Sequence, residues 1–143
     1  MEEVNIMGTV YTEITLKNAT DVGDALRRYI GEDEVRSLTV NAVVDTGAST
    51  IVINEEIREK LGLEKLDERR YKLADGRSVP GWRTDPVDIR WKDRRSACHA
   101  VVIPNADTVL LGAIPLEDMD LMVHPKTQEV VGIHGEEQLI MIY

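Results

Sequence analysis

The sequence predicts one mostly β domain with two or three short helices, and three observations carry that prediction. Apolar and polar residues alternate with period two in several short runs, Leu38–Val44 and Val87–Trp91 among them. Tight-turn signals such as Asp75-Gly76 stand between β-prone runs. The chain has 143 residues, 43% of them hydrophobic, which suits a single core rather than a disordered segment. Phe is absent, so that core must rest on Val, Ile, Leu and Met.

Composition also narrows the partners. The net charge is −9, from 17 basic and 26 acidic residues. Nucleic acid and anionic membrane surfaces attract basic patches, so neither is expected as a partner. Two basic runs, Arg69-Arg70 and Lys92–Arg95, read as exposed turns. A single cysteine, Cys98, rules out an internal disulfide and fits a reducing compartment. No apolar run is long enough to span a bilayer, and Met1-Glu2-Glu3 opens no signal peptide, so a cytoplasmic location is expected.

Taken in order, Val4–Leu16 reads as a first strand, with Val10, Ile14 and Leu16 as its apolar points. Asn18–Asp21 breaks it. Val22, Ala25, Leu26, Tyr29 and Ile30 follow at helical spacing, which predicts a short helix inserted over about 20–31 and closed by Gly31. Glu32–Glu34 is a solvated turn, and Leu38–Val44 is a strand that runs straight into Asp45. Thr50–Ile53 is a strand again. Asn54 then caps a helix whose first turn holds Glu55 and Glu56, where the helix dipole favours acids, and Gly62 ends it.

The second half is a series of hairpins. Tyr71–Val79 turns at Asp75-Gly76, and Pro80-Gly81 bends the descending strand. Either tryptophan could line a groove, but Trp91 reads as a core position and Trp82 as an exposed or half-buried one. Ala97, His99, Val101 and Ile103 share one face of the next strand. Leu110-Leu111 leads into Gly112, a residue that permits close backbone approach. A helix is expected over Leu116–Leu121, with Pro115 in its first turn. Met122–Val131 reads as a closing hairpin, and the tail 132–143 ends in the apolar run Leu139–Tyr143.

The chemistry centres on Asp45-Thr46-Gly47-Ala48-Ser49, where an apolar strand carries one carboxylate to its end and turns at once. The tripeptide alone is a weak signal. Together with the Ala74-Asp75-Gly76 hairpin and the Leu110–Ala113 segment, in that order, it resembles the retropepsin-like aspartic peptidases. The likeness is greatest to small prokaryotic members related to retroviral proteases. It covers about Val10 to Val131. The resemblance implies a closed-barrel-like acid-protease fold, peptide hydrolysis, and no metal or cofactor. It implies Asp45 as the catalytic carboxylate, Thr46 as the hydroxyl bracing paired loops, Gly47 as the loop glycine, and a Leu110–Gly112 strand threading beside that loop. Ala48, Ser49, Ala74, Asp75 and Gly76 would then lie against substrate.

Hydrolysis of a peptide by such an enzyme needs two carboxylates around one water, one ionised and one protonated. This chain offers one acid loop of the right type. Asp75, Asp85, Asp93 and Asp107 read as turn residues, Asp118 and Asp120 as helical, and none is followed by Thr-Gly or Ser-Gly. A two-fold homodimer meets the need, because the loop then faces its own copy. The tail Leu139–Tyr143 could pair across that axis or cover its own barrel. Cys98 and His99 fall on opposite faces of a strand and form no nucleophile–base pair. His99, His124 and His134 lack metal-site spacing. The rival reading is a catalytically silent dimeric peptide-binding module of the same fold; a third is a structural β-domain in which Asp45 caps a turn.

Overall fold

The structure is a computed structural model and describes residues 8–140 and 142. The opening part of the predicted first strand, 4–7, and two residues of the apolar tail, 141 and 143, lie outside the described residues. Nine strands and three α-helices are found among the described residues, in the order β1 (Tyr11–Asn18), α1 (Ala19–Leu26), β2 (Ser37–Val44), β3 (Ile51–Ile53), α2 (Glu55–Leu61), β4 (Lys65–Lys72), β5 (Ser78–Trp91), β6 (Arg94–Val102), β7 (Leu110–Leu111), α3 (Ala113–Asp118), β8 (Leu121–Val123) and β9 (Val130–Gly132). None of these helices is long and apolar enough to cross a membrane.

The mostly β, closed-barrel prediction holds. Six strands form a ring, β1-β2-β7-β3-β6-β5, and β5 returns to β1 through pairs such as Leu16↔Ile89. β4 hangs on the outer side of β5, and β8 with β9 makes a separate hairpin. Inward side chains of the ring close the core: Ile14 and Leu16 from β1, Ile51 and Ile53 from β3, Val87 and Ile89 from β5. Trp91 is buried there as expected, and its Nε1–H donates to the Thr12 hydroxyl at 2.8 Å. Trp82 is half-buried, with the Lys65 ammonium 4.3 Å from its ring.

Asn54 and Gly62 do what the sequence predicts. The Asn54 side chain accepts from the Ile57 N–H, and Gly62 leaves α2 at φ +66. Other boundaries shift. The first helix is α1, not Val22–Ile30, because Asn18 ends β1 and caps the helix at once by accepting from the Asp21 N–H. Arg28 then takes a left-handed φ of +66 and stops it, so Tyr29 stays exposed. The last helix starts at Ala113, and Leu121 already belongs to β8. Pro80-Gly81 does not interrupt the strand: β5 runs through it. Its irregularity lies between Arg83 and Pro86. There the buried Thr84 hydroxyl accepts from the Ala100 N–H, and His99 Nδ1 lies 2.6 Å from the Thr84 carbonyl. Pro86 lacks an N–H and suits such a gap in the ladder.

The basic runs are not turns. Arg69 and Arg70 lie in β4, and only Lys92-Asp93 turns the chain between β5 and β6. Arg94 is buried; its guanidinium donates to the carbonyls of Met119, Asp120 and Gly135. Asp120 has left the helix at φ +57 and is buried beside it. Its carboxylate accepts from the Leu139 N–H at 3.2 Å and lies 2.7 Å from His134 Nδ1. The His134 hydrogen bond, foremost, holds the Asp120 carboxyl below its ordinary range. This node ties the closing hairpin and the tail to the barrel. Lysine cannot reproduce a fork that reaches three carbonyls. Arg94→Lys should therefore destabilise the fold by about 2 kcal/mol, a fall of roughly 6 °C in melting temperature at fixed protein concentration. An unchanged melting curve would mean that the node does not hold the tail.

Candidate active site

The acid loop is built by a two-residue strand. β7 pairs parallel with β2 through Val43↔Leu110 and Val44↔Leu111, and antiparallel with β3 through Ile51↔Leu111 and Val52↔Leu110. Both limbs of the loop are thus held by the same two residues. The Asp45 N–H donates to the Leu111 carbonyl at 3.0 Å. Asp45 Oδ1 accepts from the Gly47 N–H at 2.9 Å, and the Ala48 N–H returns to the Asp45 carbonyl at 3.0 Å. The carboxylate is therefore oriented by backbone groups.

Gly112 completes the loop. A β-carbon there would fall on the Thr50 carbonyl oxygen and 2.6 Å from that of Ala48. The close approach lets two N–H groups at the start of α3, which lack partners inside the helix, bond to the loop: Ala113 to Ala48 O at 2.8 Å and Ile114 to Ser49 O at 2.9 Å. On the far side, the Thr50 hydroxyl donates to the His99 carbonyl at 2.6 Å and lies 3.3 Å from Cys98 Sγ. Burial pushes the Cys98 thiol up, so it stays protonated and unreactive.

A cleft of about 600 Å³ opens in front of the loop. Asp45, Gly47, Ala48 and Ser49 line it, and so does Ala74 from the hairpin opposite. Thr46 is exposed at the crest of the loop and lies outside the cleft lining, as do Asp75 and Gly76. Asp75 is engaged in its own turn, accepting from Arg77 N and Nε at 2.9 and 2.7 Å, and Gly76 turns there at φ +89. The backbone hydrogen bond from Arg77, foremost, holds the Asp75 carboxyl below its ordinary range.

The cleft walls were missed by sequence reasoning. They are Val52, Tyr71, Leu73, Val101, Ile103 and Leu110, with Lys72 at the edge. A signal for part of them was present. Ala97, His99, Val101 and Ile103 do share a face of the β6 segment, but the core takes the other one, with Ser96, Ala100 and Val102 buried. The apolar end of the outer face, Val101 and Ile103, is left for the cleft. A second hollow of about 410 Å³ continues from the first along Val52, Leu73, Ile103 and Leu110. Among the described residues no group of three His, Cys, Asp or Glu could hold a metal ion.

No curated protein matches the chain. Among solved structures, the chain is similar to the EIAV protease complexed with the inhibitor HBY-793, at 23% identity and a TM-score of 0.45, over 77% of this chain and 86% of that one. The sequence profile described as aspartyl protease matches residues 32–114. That stretch is more than half of the chain and takes in the acid loop, the β4–β5 hairpin, β7 and Gly112, so the chain belongs to the aspartyl protease family.

Proposed function

We propose that the chain is an aspartic endopeptidase acting as a homodimer, with the hydrolytic water held between the Asp45 carboxylates of two subunits. One observation carries this reading. Among the described residues Asp45 is the only carboxylate lining a mostly apolar cleft, and the backbone orients it there. Two carboxylates that meet share one proton and titrate as a pair. The ionised one takes a proton from water; the protonated one donates to the scissile carbonyl. A second copy related by a two-fold axis supplies the partner acid.

In this reading Thr46, exposed at the loop crest, bonds across the axis and braces the two loops. Gly47 keeps its N–H on Asp45. Substrate lies extended over Ala48 and Ser49, beneath the hairpin tip at Ala74, Asp75 and Gly76, and no metal or cofactor takes part. Exposed apolar residues support a partner surface. Ile114 is 53% exposed beside the loop, and Leu139 and Ile140 stand about half exposed, at 47% and 48%, on a tail tied to the Asp118–Asp120 turn. The single thiol suits a reducing, cytoplasmic setting.

The test is dilution. Cleavage of a peptide mixture is followed by mass spectrometry while sedimentation velocity reports the dimer fraction at each concentration. Activity per subunit should stay flat where the dimer dominates and fall in step with the dimer fraction below that. A species sedimenting as a monomer with full activity would overturn the mechanism. A stable dimer that binds peptides and cleaves none would instead be the silent binding module.

A further inference from the structure

The cleft has a charge pattern that hydrolysis itself does not require. The chain carries a net charge of −9, yet among the described residues the two adjoining hollows have Asp45 as their only carboxylate and two cations, Lys72 and Arg77. Arg77 is neutralised, its Nε lying 2.7 Å from Asp75 Oδ2. The other paired acid of the hairpin, Asp67, is held by Arg69 and Arg83. Glu68 lies four residues from Lys72 along β4, roughly 13 Å between α-carbons at the strand repeat, and forms no ion pair with it among the described residues. Among the described residues Lys72 takes part in no ion pair. Lys72 is exposed and lines the cleft.

We propose that Lys72 selects substrates with a carboxylate side chain flanking an apolar scissile pair, an inference that rests on the peptidase reading above. The apolar walls, Val101, Ile103 and Leu110 among them, take the residues at the cleaved bond. The Asp45 pair keeps one negative charge, so it repels an acid at the bond itself. Lys72 stands away from Asp45 on the hairpin and attracts an acid one step further out. The two-fold axis supplies a second Lys72, so acids are favoured on both sides of the bond. A basic residue at the same positions is disfavoured, and discrimination comes from attraction and repulsion together. The ion pair is exposed, so the preference is a few-fold and salt-sensitive.

The test is a one-pot competition. Peptides identical around an apolar pair carry Glu, Gln or Lys scanned over the flanking positions. Relative consumption, read by mass spectrometry, gives ratios of kcat/KM that do not depend on the amount of folded enzyme. Wild type should prefer Glu over Gln by about threefold to fivefold, and the ratio should shrink toward one at about 0.5 M salt. Lys72→Gln should erase the preference, and Lys72→Glu should turn it toward Lys. Equal rates in wild type, or a Glu preference that survives Lys72→Glu, overturns the proposal. Where wild type cleaves none of the set, fluorescence anisotropy of the labelled peptides gives the same comparison by binding. Tighter binding of Glu peptides that Lys72→Glu abolishes keeps the Lys72 proposal while the peptidase reading falls. Equal binding, or no binding, removes it.

Discussion

Alanine at position 112 should destabilise the fold by roughly 3–5 kcal/mol, combining overpacking against backbone with the loss of two hydrogen bonds. The added methyl meets the carbonyl oxygens of Ala48 and Thr50, groups that belong to the acid loop and cannot rotate aside as a side chain would. Relief requires α3 to move outward, which breaks the bonds from Ala113 to Ala48 and from Ile114 to Ser49. Native stability is about 5–15 kcal/mol in total, so much of it goes with one methyl. What still folds should be inactive, because the displaced carbonyls are those of the loop that positions Asp45. Gly8→Ala is the control, since a β-carbon there meets nothing within 4 Å. Denaturant unfolding of both variants checks the claim. A Gly112→Ala protein with wild-type stability and activity would show that α3 is not fastened to the loop in this way.

Asparagine at position 45 should lower kcat/KM by about 10⁴-fold, the upper end of what positioned acid–base catalysis supplies. Asn is close in shape to Asp, and its side-chain oxygen can still accept from the Gly47 N–H. The loop, the barrel and the dimer should survive, with circular dichroism and sedimentation mass unchanged. In the proposed mechanism, what is lost is the shared proton. The wild-type pH–rate profile should be bell-shaped, since the pair works only with one proton between its two carboxyls. The variant should show no such bell. Residual cleavage with the wild-type pH profile would take Asp45 out of the mechanism.

Why these two positions could be read from sequence, and others could not, follows from how far each signal reaches. Asp75-Gly76 and Gly62 act through bonds within five residues, and the turn at Asp45–Gly47 and the cap at Asn54 are equally local, so a short stretch signals them, although Leu111 also holds the Asp45 N–H. Gly112 was readable as a close approach beside the acid loop, and the structure adds the two carbonyls it meets there, those of Ala48 and Thr50. Arg94 shows the opposite limit. In a run of Lys, Asp and Arg it looks solvated, and only three carbonyls brought from elsewhere in the fold explain its burial. β4 begins at Lys65, six residues before the predicted hairpin arm, because its charged residues show no alternation. It hangs on the ring by β5 alone, so it needs no apolar face. On β6 the core took the face of Ser96, Ala100 and Val102, which the pattern did not favour, and Val101 and Ile103 line the cleft. Their spacing was visible; which layer would claim them was not.

The claim that one catalytic centre draws Asp45 from each of two subunits is tested most directly by mixing. Wild-type and Asp45→Asn chains are combined at constant total concentration, allowed to exchange subunits, and assayed for peptide cleavage across the full range of mixtures. Random pairing with both carboxylates required makes activity follow the square of the wild-type fraction, about one quarter at equal parts. Activity that falls in simple proportion to the wild-type fraction would contradict the account, since each Asp45 would then be working alone.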